Sequence, residues 1–162
     1  EPLGKGMEAV RQEFIGDLAA EALFGESSQL YLDMYEQGLI DSSFGGGLET
    51  IEGMMLLTAS GDSDDPEKVR DTILAQAKKL CENGLDEADF LRMKRSAMGR
   101  RIKDLDSFDS TCFRICAYHF SGCDYFDFPQ VYQTITTEDI RQFLQRIVTP
   151  ERCSLAVINP KQ

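Results

Sequence analysis

The chain is short of the side chains on which most hydrolytic and redox sites depend. It holds one histidine, His119, among 162 residues. Any Ser-His-Asp or Cys-His arrangement would therefore have to use that single imidazole. There is no His-Glu-x-x-His, no His-x-x-Glu-His, no phosphate-binding glycine loop and no dinucleotide fingerprint. No apolar run reaches the roughly 18 residues of a membrane span, and no secretory signal is visible at the start. Basic residues are also scarce. The 17 Lys and Arg stand against 28 Asp and Glu, for a net charge of −11. That balance argues against broad binding to nucleic acid or to acidic membranes, though it leaves room for a local basic patch. The five cysteines are an odd number without the dense spacing of a secreted disulfide framework. Reduced thiols and a cytoplasmic location are the simpler expectation. Internal repeats, low-complexity tracts and linkers are absent. The start at Glu1-Pro2-Leu3-Gly4, without methionine, suggests a piece of a longer multidomain chain.

What is present is an ordinary globular composition, 42% apolar and 28% charged. Residues 1–162 suit one domain, able to bury roughly 70% of the surface of its unfolded form. Residues 7–24 read as a helix with Val10, Phe14, Leu18 and Ala22 on one face and Gly25 as its stop. Ser27 is placed to cap a second helix running to about Gln37. Residues 43–51 and 54–60 read as strands around Glu52-Gly53, although the glycines at 45–47 weaken the first. Asp65-Pro66 opens a helix whose inner face is Val69, Ile73, Ala77 and Leu80. Asp86 opens another, to about Leu105. Residues 108–121 form a further helix. Thr136 caps a last one, with Ile140, Phe143, Leu144 and Ile147 inward, and Cys153–Ile158 closes as a strand. The sum is an α+β domain: helices packed on one face of a mostly antiparallel sheet. Three strands make a thin sheet, so a first strand is expected to be lacking, ahead of residue 1.

Two stretches invite a functional reading. The first, Cys112 to Cys123 (CFRICAYHFSGC), holds three of the five cysteines and the only histidine. Thiolates and imidazole suit zinc or an iron–sulfur cluster, and Cys-x3-Cys matches the first two positions of a radical-enzyme cluster motif. The spacings of four, three and four, however, put these residues on one helical face in a line about 16 Å long. A tetrahedral ion needs ligands around one point. Free cysteine also behaves as a small buried hydrophobe, and Phe108, Ile115 and Phe120 extend the same side. The reading preferred is a core stripe: Cys112, Cys116 and His119 buried on one helix with no ion between them. The second stretch, Arg92 to Lys103, carries six of the seventeen basic residues. It lacks interleaved aromatics, so a solvated face, or one meeting an acidic partner, is expected before nucleic acid. The carboxylates Asp62, Asp64 and Asp65 lack the glycine and distal glutamate of a calcium loop. Residue chemistry alone thus designates no catalytic residue, no metal ligand and no defined substrate contact.

One segment is more specific. Leu23-Phe-Gly-Glu-Ser-Ser28, then Leu30-Tyr31, Tyr35-Glu36 and Gly38-Leu-Ile-Asp41, resembles the second domain of insulinase/pitrilysin-type zinc peptidases, in their bacterial processing-protease-like branch. Ser60-Gly-Asp62 with Asp65-Pro-Glu-Lys68 resembles that family's strand exit and helix start. Thr134 to Ile140 resembles the start of its last helix, and Cys153 to Ile158 its final strand. The resemblance runs in order along nearly the whole chain. It implies α+β domains, in pairs or tandems, enclosing a chamber in which peptides are cut. It implies zinc held by an inverted His-x-x-Glu-His motif in another, upstream domain, and no cofactor in this chain. The family's arginine–tyrosine pair for holding substrate also finds no match: Phe120 to Thr134 has Tyr125 and Tyr132 but no arginine. The resemblance therefore implies a non-catalytic C-terminal domain, inactive alone. Its role would be to wall the chamber and support the zinc domain of a metalloendopeptidase, beside a homologous partner subunit. Two alternatives stay open: an inactive structural or interaction member of the same fold, and a Cys/His metal or redox protein.

Overall fold

The computed structural model describes residues 3–159, and its architecture is organised by one helix. Helix α1 spans Met7–Phe24. Its apolar residues are not confined to one stripe. Val10, Phe14, Ile15, Leu18, Ala19, Ala20, Leu23 and Phe24 are all buried. A helix that is apolar on most sides belongs inside a domain, and α1 is packed on all of them. The two-stranded sheet lies on one side, and the later helices lie on the others. Val10, Phe14 and Leu18 of this set, with Ala22 also buried, match the expected stripe; the additional ones extend it around the helix.

Helix α2 spans Gln29–Glu36. Its cap is Ser28 rather than the expected Ser27: the Ser28 hydroxyl accepts a hydrogen bond from the Tyr31 N–H at 3.1 Å. The amide three residues on fixes the capping position. Strands β1 (Gly45–Ile51) and β2 (Met54–Ser60) pair antiparallel, with Gly45 opposite Ser60 and Ile51 opposite Met54. Glu52 and Gly53 connect them, both with positive φ (50° and 77°). Two left-handed residues match the twist of a tight hairpin, which is why glycine is useful there.

Helices α3 (Pro66–Asn83) and α4 (Glu87–Asp104) start at Asp65 and Asp86, both of which cap backbone amides with their side chains. Helix α5 spans Phe108–Phe120. A 3-10 turn (Tyr125–Asp127) and helix α6 (Phe128–Thr134) follow. Helix α7 (Thr137–Ile147) begins with a reciprocal capping box between Thr136 and Asp139, which satisfies two otherwise free amide donors. Its Ile140, Phe143 and Leu144 are buried as expected. A second 3-10 turn, Pro150–Arg152, ends the regular structure.

The domain is α+β, rich in helix, with a sheet of two strands among the described residues. The expected closing strand does not form. Residues 153–159 lie outside any strand and are exposed. Leu155, Val157 and Ile158 have the right composition, but β structure requires a neighbouring backbone to pair with, and none among the described residues pairs with this segment. The expected missing strand ahead of Glu1 lies outside the described residues.

Candidate functional site

The Cys112–Cys123 stretch does fold as a helix, but it faces the other way. Cys112, Cys116 and His119 are exposed, not buried. Phe108, Ile115 and Phe120 are exposed with them, and no residue of α5 is buried. The inward side carries Thr111, Arg114 and Tyr118. The Thr111 hydroxyl donates towards the Asp104 and Leu105 carbonyls. Arg114 donates to the Asp104 carboxylate at 3.1 Å, and the Tyr118 ring meets Tyr125 edge-on at 5.1 Å. Polar anchoring to the end of α4 decides the rotation of α5, a preference that a period-seeking reading of apolar residues does not see. The chain then turns at Gly122, φ 77°. That turn takes Cys123 off the line of the other three and towards Gly6. No group of three or more His, Cys, Asp or Glu side chains is placed to hold a metal ion among the described residues. The donor set of this stretch does not fit a zinc site: three donors point to solvent along one helix and the fourth has turned away.

The strongest polar centre is elsewhere, and the basic run of α4 supplies it. Arg101 was expected on a solvated face. Its side chain is only 13% exposed. The guanidinium lies 4.0 Å from the centroid of the Phe14 ring. Phe14 in turn stacks on Tyr132 at 4.4 Å. Arg101 Nε donates to the Tyr132 hydroxyl at 3.3 Å, and Nη2 pairs with Asp17 at 3.3 Å. Nη1 is buried without a hydrogen-bond partner. On the same helix Arg100 pairs with Glu21 at 3.2 Å, Arg92 with Asp89 at 2.9 Å, and Lys94 donates to the Ile135 carbonyl at 2.8 Å. Arg100, Arg101 and Lys94 fasten α4 to α1 and to the end of α6, so half of the basic run is engaged in holding the fold together. A guanidinium's flat faces and fork of donors suit this kind of joint.

Open grooves flank the joint. One, of about 690 Å³, runs between the start of α1 and α5 and includes Glu13, Arg101, Phe113 and Tyr118 in its lining. The other, of about 560 Å³, includes Asp17, Gly47, Arg100 and Tyr132. Burial raises the Glu13 carboxyl above its usual range, Asp17 adds to the rise and Arg101 opposes it. Asp17 is also raised, by its recessed position first, with Arg101 pulling the other way. Since 45% of its side chain still meets solvent, water tempers that rise. Burial likewise raises the Tyr118 and Tyr132 hydroxyls. The centre offers charge and hydrogen bonds without a nucleophile beside a base, and its chemistry is that of a packing joint.

The raised Glu13 carboxyl has a testable consequence. An acid whose folded pKa lies above its unfolded value stabilises the fold while protonated, and that contribution is lost as pH rises through the folded pKa. Glu13→Gln should therefore resist urea better than the parent at about pH 8, and the two curves should converge below about pH 4, where both side chains are neutral. A constant offset at every pH would refute the titration as its cause.

Sequence reasoning had no route to this centre. Arg101 and Asp17 are 84 residues apart, and Arg101 and Tyr132 are 31 apart. The available signal was Asp17 itself, an acid set between Gly16 and Leu18 on a largely apolar helix. Tyr125 and Tyr132 are both 2% exposed, so neither is displayed to a peptide.

Comparison with known proteins places this architecture. The model of a family described as the peptidase M16 inactive domain matches residues 3–97. The chain is 28% identical over 160 residues to the uncharacterized zinc protease YmfH of Bacillus subtilis (strain 168), a match spanning 99% of this chain and 37% of that protein. A solved chain described as an M16-like peptidase, from Alicyclobacillus acidocaldarius, shares the fold with a TM-score of 0.80 at 23% identity, over 89% of this chain and 35% of that one. Another, described as a zinc protease, from Bordetella pertussis Tohama I, has a TM-score of 0.70 at 17% identity, over 93% of this chain and 86% of that one.

Proposed function

Since the chain belongs to the family of inactive M16 peptidase domains, we propose that it serves a zinc peptidase as a non-catalytic wall and support, within an enclosed peptide-cutting chamber. The observation that carries this reading is the match of nearly the whole chain to about a third of a zinc protease. On this reading residues 1–162 form one domain of a longer polypeptide. Zinc and its ligands belong to an upstream domain, and no residue here is catalytic or a metal ligand. A homologous partner subunit completes the chamber. An enclosed chamber selects unfolded peptides by size and charge, and a wall from a chain of net charge −11 favours basic ones if it faces inward. The free cysteines suit the reducing conditions of the cytoplasm. No helix among the described residues is long and apolar enough to cross a membrane.

The test is metal content and peptide cleavage, measured on this chain and on the natural polypeptide that carries it. The chain by itself should retain no zinc through dialysis and cut no peptide. The natural polypeptide, with its partner, should hold about one zinc per catalytic domain and lose cleavage to a chelator. Stoichiometric tetrahedral zinc on the isolated chain would sink the proposal.

A further inference from the structure

Helix α5 is amphipathic in the reverse sense. At about 100° per residue, Ile115, Phe108, His119, Cys112, Cys116, Asp109, Phe120 and Phe113 fall within roughly 160° of arc; all are exposed, and Phe113, at one edge of the arc, also borders the groove against the start of α1. Phe108 is 80% exposed, Phe113 74% and Phe120 87%. Three phenylalanines and Ile115 beside two thiols, with Asp109 the one carboxylate within the arc, form a largely apolar face on a chain that carries 28 acidic residues. A patch of this kind marks a surface that meets another, and the rotation of α5 is no accident of loose packing, because Thr111, Arg114 and Tyr118 hold it to the body.

We propose that the outward face of α5, centred on Phe113, Cys116 and Phe120, is the surface on which a further domain of the same natural polypeptide packs. This rests on the reading of the chain as one domain of a longer M16 protein. The length of the relatives supports that occupant: nearly two-thirds of the Bacillus subtilis protein lies outside the matched part, which is 37% of it. Charge disfavours a second copy, since each copy would bring a net charge of −11 to the contact. A differing domain carries no such constraint.

Cys112 and Cys116 make the face self-reporting, because both thiols are exposed on it. The experiment labels the natural full-length polypeptide with a maleimide, native and in denaturant, and reads each cysteine by peptide mass. Under the proposal, Cys112 and Cys116 react at least about tenfold slower in the native protein than in the unfolded one, at every protein concentration. Phe113→Asp with Phe120→Asp, which alters no buried side chain of this domain, then restores fast labelling. Native rates within about twofold of the unfolded rates would overturn it. So would protection that appears only at high protein concentration, which indicates a second copy, or only with added unfolded peptide, which indicates a substrate wall. Zinc is measured on the same sample. Protected thiols without zinc would end the peptidase reading and leave this inference standing, whereas zinc with unprotected thiols would do the reverse.

Discussion

Replacing Phe14 with alanine is expected to lower the folding stability of this domain by about 3–5 kcal/mol. Phe14 is fully buried, 0% exposed, on the helix against which both strands and helices α2, α3, α4, α6 and α7 pack. Truncation removes the transfer energy of the ring and leaves a cavity that rigid neighbours only partly fill. It also removes the stack on Tyr132 at 4.4 Å, of a kind that contributes about 0.5–1.5 kcal/mol beyond area. Finally it strips the surface beneath the Arg101 guanidinium. Against the roughly 5–15 kcal/mol of a typical domain, such a loss leaves the chain close to unfolding at ambient temperature. Urea denaturation measures it. Arg101→Met, which keeps Phe14 covered by an apolar stem, separates the ring from the charge and should cost less. A Phe14→Ala loss below about 1 kcal/mol would show that the stack is not a core element.

Gly46→Ala should also be damaging, by about 1–3 kcal/mol, although a strand ordinarily gains from losing a glycine. A Cβ at Gly46 would stand 2.6 Å from the Phe24 ring and 2.8 Å from the Thr58 carbonyl oxygen. The carbonyl belongs to the paired strand and the ring is buried, so neither can yield cheaply. Gly47, its neighbour, has nothing within 4 Å of the same construction. Gly47→Ala is therefore expected to be neutral or slightly stabilising. Equal effects of the two substitutions in thermal melts would remove the explanation by close approach.

These two sites show what could and could not be read in advance. By composition alone, the three glycines at 45–47 only weaken a strand. In the structure Gly46 is a seat for Phe24, and that is a fact about two elements meeting. Most element boundaries were legible because their causes are local. Asp65 and Asp86 cap the helices they precede, Thr136 and Asp139 form a reciprocal box, and Glu52-Gly53 supplies two left-handed residues. The closing segment at 153–158 has the composition of a strand without being one, because a strand's propensity is realised only with a partner backbone. The 3-10 turn at Tyr125–Asp127 and the short helix α6 were not anticipated, since seven residues give too little periodicity to recognise.

The sequence by itself determined the longer helices, the hairpin, the acidic balance, the α+β class and the resemblance to insulinase/pitrilysin-type zinc peptidases. All of these rest on short-range chemistry or on order along the chain. Tertiary structure alone decided which way the basic side of α4 and the Cys/His side of α5 turned. Arg101 went inward, because a stacked ring and a carboxylate on α1 repaid its desolvation. The line of Cys112, Cys116 and His119 went outward, because Thr111, Arg114 and Tyr118 bind the opposite side of the same helix. On α7 the apolar stripe itself marks the buried side, whereas on α4 and α5 the polar groups that meet the helix decide it: Asp17 and Tyr132 in the first case, Asp104 and Tyr125 in the second.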